Sequence, residues 1–229
     1  MIFALSDLAK ISFYILYIII PILALYIVYL ILTRAFKYMG FSSFEAIIIV
    51  FISFLFGYEI ILFGFNISNI YLFSYGNWRI GINMGGAIIP ILLSIYLTIK
   101  KQISLKKIAI GIIIVTIIAF FVTLPDPTKG IVSYFPYWLL PAFFASITST
   151  ILLWKNFKKA APLAYISGTI GVLIGADFLH IWELLNYDIS KTTNAVIGGA
   201  DVFDMIYITG ILAVILDGII MYKQRSKQT

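Results

Sequence analysis

The chain has 229 residues, of which 62% are hydrophobic and only 11% are charged, and its mean hydropathy is +1.06. Soluble domains carry about 25% charged residues, so this composition excludes an ordinary soluble protein and predicts a multi-pass protein of the cell membrane, with the lipid bilayer as its first partner. The net charge of +6 arises from short basic clusters beside apolar runs, which are orientation signals and indicate no nucleic-acid partner. The absence of cysteine excludes disulfides, thiolate zinc sites and cysteine nucleophiles.

Apolar runs of about 20 residues divide the chain into about seven predicted crossings of the bilayer. These crossings lie near 11–33, 46–65, 82–99, 108–124, 134–153, 161–185 and 195–221. The predicted fold is therefore all-α, a polytopic helical bundle that forms one transmembrane domain over residues 1–229. We expect the stretch 67–80 to be either a plain loop or an amphipathic piece on the membrane surface.

Lysine and arginine alternate between the links in a way that predicts membrane orientation. One side of the membrane receives most of them: Arg34, Lys37, Lys100, Lys101, Lys106, Lys107, Lys155, Lys158, Lys159, Lys223, Arg225 and Lys227. The other side receives a sparse set: Lys10, Arg79, Lys129 and Lys191. The positive-inside rule therefore predicts an N-terminus outside and a C-terminus in the cytoplasm.

Ionisable residues lie within the last two predicted crossings, where each is costly unless it is paired, neutralised or hydrated. The set comprises Asp177, His180, Glu183, Asp201, Asp204 and Asp217. At 1.5 Å per residue, Asp177 lies about 12 Å below the outer end of its helix and Asp204 about 13 Å below the start of the next. These two carboxylates are thus predicted to share a level and a site. Asp201 lies one turn shallower, and Asp217 lies near the cytoplasmic end, where we expect it to pair with basic residues.

Several further residues have the outer position that this site requires. The supporting set comprises Glu59, Asn83, His180, Gly198, Gly199 and Asp201. The two glycines weaken the helix before Asp201, which exposes backbone to a substrate, water or an ion. We expect a cavity that opens to the outside between crossings two, three, six and seven. An oxygen-rich set with one histidine favours a hard cation over zinc if a metal binds, and no cofactor is indicated.

Small residues form a second stripe on the sixth crossing, displaced from the acidic arc. Its members are Ala164, Gly168, Gly171 and Gly175. Such a stripe predicts close approach by a neighbouring helix.

Three runs, 83–90, 161–177 and 197–213, carry a resemblance over most of the chain from the third crossing onward. They resemble a family of uncharacterised prokaryotic and archaeal integral-membrane proteins that is catalogued as a domain of unknown function. That family usually has a small residue in place of Asp201, while Asp204 matches its pattern. The resemblance therefore favours Asp204 over Asp201 as the partner of Asp177, and it implies no activity.

The run from Gly198 to Asp201 is similar to the Gly-x-Gly-Asp element of presenilin and signal-peptide-peptidase intramembrane aspartyl proteases, with Ala200 in the third place. The predicted directions of the last two helices are those of signal peptide peptidase. The chain departs from that group in having fewer crossings and in lacking its Pro-Ala-Leu element. Its only Tyr-Asp pair, Tyr187-Asp188, lies in a link. The resemblance is an analogy that implies aspartyl-protease chemistry.

These patterns favour three functions, in decreasing order. The first is hydrolysis of a membrane-helix substrate by the pair Asp177 and Asp204, since one ionised and one protonated carboxyl supply both halves of amide hydrolysis. The second is proton- or cation-coupled transport or a channel, in which Glu59, His180 and Asn83 assist the same carboxylates. The third is a membrane scaffold in which the acids only hold helices together.

Overall fold

A computed structural model describes residues 2–154, 156–199 and 205–220, and these residues are mostly helical, as predicted. The α-helices are α1 (Ile2–Met39), α2 (Ser43–Gly57), α3 (Ile89–Lys101), α4 (Leu105–Val122), α5 (Leu140–Leu152), α6 (Phe157–Val172), α7 (Leu179–Leu185) and α8 (Met205–Ile220). Two π-helical turns occur, at Met84–Ile88 before α3 and at Leu173–Phe178 between α6 and α7. We call them the first and the second π-turn.

Several links form β-structure, so the all-α prediction is wrong there. The strands are β1 (Ile61–Leu62), β2 (Phe65–Asn66), β3 (Asn69–Tyr75), β4 (Trp78–Asn83), β5 (Leu124–Asp126), β6 (Gly130–Val132) and β7 (Thr193–Ile197). β1 with β2 and β5 with β6 form antiparallel hairpins, and the third sheet has the order β3-β4-β7. In β4, Trp78 and Ile80 are buried whereas Arg79 between them is exposed, the period-two alternation of a half-buried strand.

Seven described helical segments overlap the predicted crossings. Four have the length and composition of a membrane span: Ser12–Met39, Met84–Lys101, Leu105–Val122 and Lys158–Leu185. Three apolar segments are shorter: Ser43–Gly57, Tyr137–Leu152 and Met205–Ile220. The second and seventh segments differ most from expectation, because backbone after Gly57 turns extended and residues 193–197 form β7 instead of helix.

Small residues on the sixth crossing bring α6 and its continuation close to two helices. An alanine Cβ at Gly175 would meet the backbone oxygen of Thr116, and one at Gly171 would lie 2.6 Å from Cβ of Val115, so both glycines admit α4. Gly168 instead faces α8, where a Cβ would lie 3.3 Å from Cγ2 of Thr209. The predicted stripe therefore allows two neighbouring helices, α4 and α8, to approach closely.

Basic residues of different links lie together at one end of the bundle. Lys107 Nζ, at the start of α4, donates to the Leu152 carbonyl oxygen at 2.7 Å. Lys159 Nζ, at the start of α6, donates to the Gln102 carbonyl oxygen at 3.1 Å. We call this the basic end. α4 leads away from it into β5, and the α6–α7 segment leads away from it toward β7, so the opposite end is the sheet end.

Candidate functional site

A cavity of about 370 Å³ lies at the sheet end. All five residues of β7, Thr193–Ile197, form one wall, and the β5–β6 turn, from Pro127 to Ile131, contributes another. The helix contributes Asp177, Ile181 and Leu184, which are spaced by one turn and so share a face. We call this cavity the β7 groove. The predicted walls were crossings two, three, six and seven, but strands and a hairpin form most of the walls of this cavity beside the sixth crossing. Its opening to the outer side of the membrane stays a prediction.

Asp177 is half-buried in the second π-turn and is tied to the end of β7. Its Oδ2 accepts a hydrogen bond from the Gly198 backbone N–H at 2.7 Å. Gly198 has φ +67°, and an added Cβ would lie 2.7 Å from Cβ of Ala87 and 2.8 Å from its nitrogen. Only glycine combines this left-handed conformation with so close an approach. The bond therefore attaches Asp177 to the loop that leads toward Asp201 and Asp204.

The first π-turn lies behind Gly198 and is held by Asn83. Asn83 Oδ1 accepts from the Gly86 N–H at 2.8 Å, and its Nδ2 donates to Asn69 Oδ1 at 2.7 Å. A Cβ at Gly86 would meet the Gly198 carbonyl oxygen. Asn83 is therefore a buried positioning residue one layer behind the groove. Two π-turns, which occur frequently at functional sites, flank the same glycine.

The edge of β7 that faces away from β4 is available in the groove. Thr193 N–H donates to the Asn77 carbonyl oxygen, and β7 continues in parallel register with β4 up to Ile197. Backbone groups alternate in direction along a strand, so the N–H and C=O of Asn194 and Val196 point away from β4. Val196 O accepts from the Gly199 N–H at 3.1 Å. Among the described strands, β7 pairs with β4 alone.

The β5–β6 turn is fixed by one carboxylate. Asp126 Oδ1 accepts from the Thr128 hydroxyl at 2.6 Å, from the Thr128 N–H at 2.8 Å and from the Lys129 N–H at 3.0 Å. The hydrogen bonds from Thr128 hold the pKa of Asp126 below its ordinary value, because they stabilise the ionised form. The turn places the Lys129 side of the hairpin against the groove.

His180 and Glu59 have partners other than Asp177. The His180 ring stacks on Phe120 with centroids 4.5 Å apart, its Nε2 is 3.0 Å from the Phe120 carbonyl oxygen, and its Nδ1 is 3.1 Å from Glu183 Oε2. His180 therefore fastens α7 to α4. Glu59 is exposed and accepts from Asn66 Nδ2 at 2.7 Å. Of the acidic arc expected on the sixth crossing, His180 and Glu183 are paired with each other, whereas Asp177 lines the groove on the same face as Ile181 and Leu184.

The other acidic residues predicted for the last crossing fall into two groups, those outside the described residues and one that is buried away from the groove. Asp201 and Asp204 lie outside the residues that the structure describes. Asp217 is 1% exposed and accepts from Ser149 Oγ at 3.0 Å and from Thr150 Oγ1 at 2.8 Å. Hydroxyls of α5 thus take the place of the basic partners that we expected for it.

The described part of the chain contains no cluster of side chains that could bind a metal ion. Within residues 2–154, 156–199 and 205–220, no three His, Asp or Glu side chains lie close enough together to hold an ion. The groove presents one described carboxylate, Asp177, and backbone groups of β7.

Sequence reasoning did not find β7 and the β5–β6 hairpin as walls of the site. The predicted crossing 195–221 included most of β7, and the hairpin lies in the link between the crossings 108–124 and 134–153. Both nevertheless have local sequence features that favour their observed structure. The run Thr193–Ile197 contains three β-branched residues within an apolar stretch, which favours a strand. The run from Asp126 to Gly130 has the aspartate, proline and glycine of a tight turn, and Gly130 has φ +79°.

Comparison with known proteins identifies the family and leaves the activity open. No curated protein and no solved structure matches the chain significantly. The resemblance to presenilin and signal peptide peptidase gains no support from these comparisons. One family model, described as a protein of unknown function (DUF1614), matches residues 58–216, which is well over half of the chain and includes Asp177, Gly198 and the β7 groove. The chain therefore belongs to this family of unknown function.

Proposed function

We propose that the protein is a membrane-embedded peptide hydrolase of the aspartyl type, with Asp177 as one carboxyl and Asp204 as the other. One observation carries the proposal. Asp177 lines a groove and binds the amide of Gly198, the residue from which the chain proceeds to Asp201 and Asp204. Asp204 is preferred to Asp201 as the second carboxyl because it matches the family pattern.

The proposed reaction needs two carboxyls in different protonation states. The ionised one removes a proton from a water molecule, whose oxygen attacks the carbonyl carbon of the peptide bond, while the protonated one donates to the carbonyl oxygen. Collapse of the tetrahedral intermediate breaks the C–N bond and returns a proton to the leaving amine.

The membrane setting proposed for this chemistry is a multi-pass arrangement in the plasma membrane with about seven crossings. The basic end would face the cytoplasm under the positive-inside rule, and the β7 groove would open to the outer face. Support comes from the clustering of Lys107 and Lys159 at the end opposite to the groove.

The transport alternative has less support. It needs Glu59 and His180 as ion ligands beside Asp177, but Glu59 binds Asn66 and His180 binds Glu183 and the Phe120 carbonyl. Among the described residues, no three His, Asp or Glu side chains lie together in the groove to bind a cation.

Cleavage and ion flux should be measured on the same preparations. The purified protein, in detergent and in liposomes, is incubated with membrane peptides, and products are identified by mass spectrometry. Because general acid–base groups contribute about 10²–10⁴-fold, we expect Asp177→Asn and Asp204→Asn each to lower the cleavage rate at least about a hundred-fold.

Asp217→Asn is the matched control, since it neutralises an acid of α8 whose hydroxyl partners on α5 lie outside the groove. It should cleave at the wild-type rate, with thermal unfolding measured for every variant. Wild-type cleavage that persists in Asp177→Asn would overturn the proposal. Cation or proton flux without any cleavage, lost in the same two variants, would favour the transporter.

A further inference from the structure

We propose that the β7 groove binds its substrate as an extended segment that adds to the sheet as a fourth strand, beside β7. The inference deepens the proposed function and rests on it only for the step in which the bound segment is cut. The binding mode itself follows from the strand edge, the size of the groove and its lining.

The strand edge supplies the recognition groups. Asn194 and Val196 line the groove and direct their backbone N–H and C=O groups away from β4, two residues apart, which is the repeat of a strand partner. An extended peptide satisfies such groups through its own backbone, and main-chain bonds of this kind give affinity without demanding one sequence. Val196 O already accepts from Gly199, so the incoming segment would use Val196 N–H and both groups of Asn194.

The size of the groove is compatible with a short extended segment. One extended residue needs about 160 Å³ from the strand and sheet spacings, so a cavity of about 370 Å³ has room for at least two residues. A helical membrane segment that paired with β7 would have to unwind there, because only extended backbone presents N–H and C=O groups to a strand edge.

The position of Asp177 defines where the bound segment would be cut. Asp177 binds the amide of Gly198, directly after the last residue of β7. A strand paired with Asn194 and Val196 would therefore bring its peptide bond beyond Val196 to the carboxylate.

The lining of the groove indicates the kind of segment. Ile131, Ile181 and Leu184 are apolar, whereas Thr128 and Lys129 come from the turn. We infer an uncharged segment rich in β-branched residues, the class that favours extended backbone.

Backbone N-methylation of a probe peptide tests strand addition. The probes are fluorescent peptides of about eight residues that alternate valine and threonine, the usual length of a strand. They are titrated against the full-length Asp177→Asn variant in detergent, which removes turnover from the measurement. A peptide methylated at every second amide keeps one intact edge, whereas a peptide methylated at every amide has none.

We expect the alternately methylated peptide to bind within about threefold of the unmodified one, and the fully methylated peptide to lose at least about tenfold, the worth of one or two backbone hydrogen bonds. Loss of binding on alternate methylation would overturn strand addition and indicate a helical ligand. Equal binding of the fully methylated peptide would overturn it in favour of side-chain recognition, and absence of binding by all three peptides would also overturn it.

The protein side has a matched pair of variants. Asn194→Pro removes the groove-facing N–H, and proline is tolerated in an edge strand when its nitrogen faces away from the partner strand. Asn194→Ala removes the side chain and keeps that N–H. We expect about tenfold weaker binding of the unmodified peptide for Asn194→Pro and wild-type binding for Asn194→Ala. Wild-type binding by a folded Asn194→Pro variant would contradict the proposal.

These measurements separate the two proposals. Strand binding by Asp177→Asn together with no cleavage by the wild type leaves an extended-peptide binding site and removes the hydrolase. Cleavage by the wild type with methylation-insensitive binding keeps the hydrolase and removes strand addition.

Discussion

Gly198 shows how one residue joins three parts of the site. It directly follows β7, its N–H donates to Asp177, and it lies against Ala87 of the first π-turn. Two separate demands act on it, a left-handed φ of +67° and a space too small for a Cβ. Gly130, in the β5–β6 turn, has a φ of +79° but no atom within 4 Å of an added Cβ, so it meets only the first demand.

We expect Gly198→Ala to lower the free energy of unfolding by about 2–5 kcal/mol, because left-handed backbone costs about 1–2 kcal/mol and overpacking about 1–3 kcal/mol. Gly130→Ala should cost only the first contribution. Thermal or SDS unfolding of both variants in detergent measures the difference. Equal losses would show that the space around Gly198 relaxes and that its backbone conformation alone requires glycine.

At the scale of elements, the stability of the β5–β6 turn depends on pH. Asp126 binds Thr128 and Lys129 through one oxygen, and its lowered pKa means that the ionised form stabilises the turn. Such a contribution is complete above the pKa of an unfolded aspartate, about 3.9, and is lost as the pH falls through the lowered pKa.

We therefore expect the Thr128 and Lys129 amides to stay protected from hydrogen exchange near neutral pH and to lose protection below about pH 4, after correction for intrinsic exchange. Asp126→Asn retains an acceptor oxygen without a titrating group, so its protection should not change with pH. Protection that is independent of pH in the wild-type protein would contradict this account of the turn.

At the scale of the whole molecule, the two ends of the bundle differ in charge and in structure. The basic end holds Lys107 and Lys159, each bound to a carbonyl of another link, and the sheet end holds the groove. If the positive-inside rule governs this chain, the two ends face different compartments.

Single cysteines can test this orientation without background, because the chain has none. We expect Lys129→Cys to react with a membrane-impermeant maleimide on intact cells and Lys106→Cys to react only after permeabilisation. Both lysines are exposed, so access to the reagent does not separate them. The reverse pattern of labelling would place the groove in the cytoplasm and contradict the proposed orientation.

The helices could be predicted from the sequence because runs of about 20 apolar residues have few alternatives, and α4 and the α6–α7 segment lie close to their predicted bounds. The predicted depth paired Asp177 with Asp204, which lies outside the described residues, and the bond between Asp177 and the Gly198 N–H was not predicted. β7 could not be predicted, because a short apolar run has no periodicity that separates strand from helix. We predicted that His180 supports Asp177, because its actual partner Phe120 lies 60 residues away in the sequence and could not be identified from local spacing.

The second π-turn, at Leu173–Phe178, has a consequence for how this site can change in related chains. A π-turn contains one residue more than an α-helical turn, so it is equivalent to a single-residue insertion. Deleting that residue would restore continuous α-helix and rotate everything beyond it by about 100°. Asp177 would then turn away from Gly198. Family members with a one-residue gap between Leu173 and Phe178 should therefore be natural variants without a groove carboxylate.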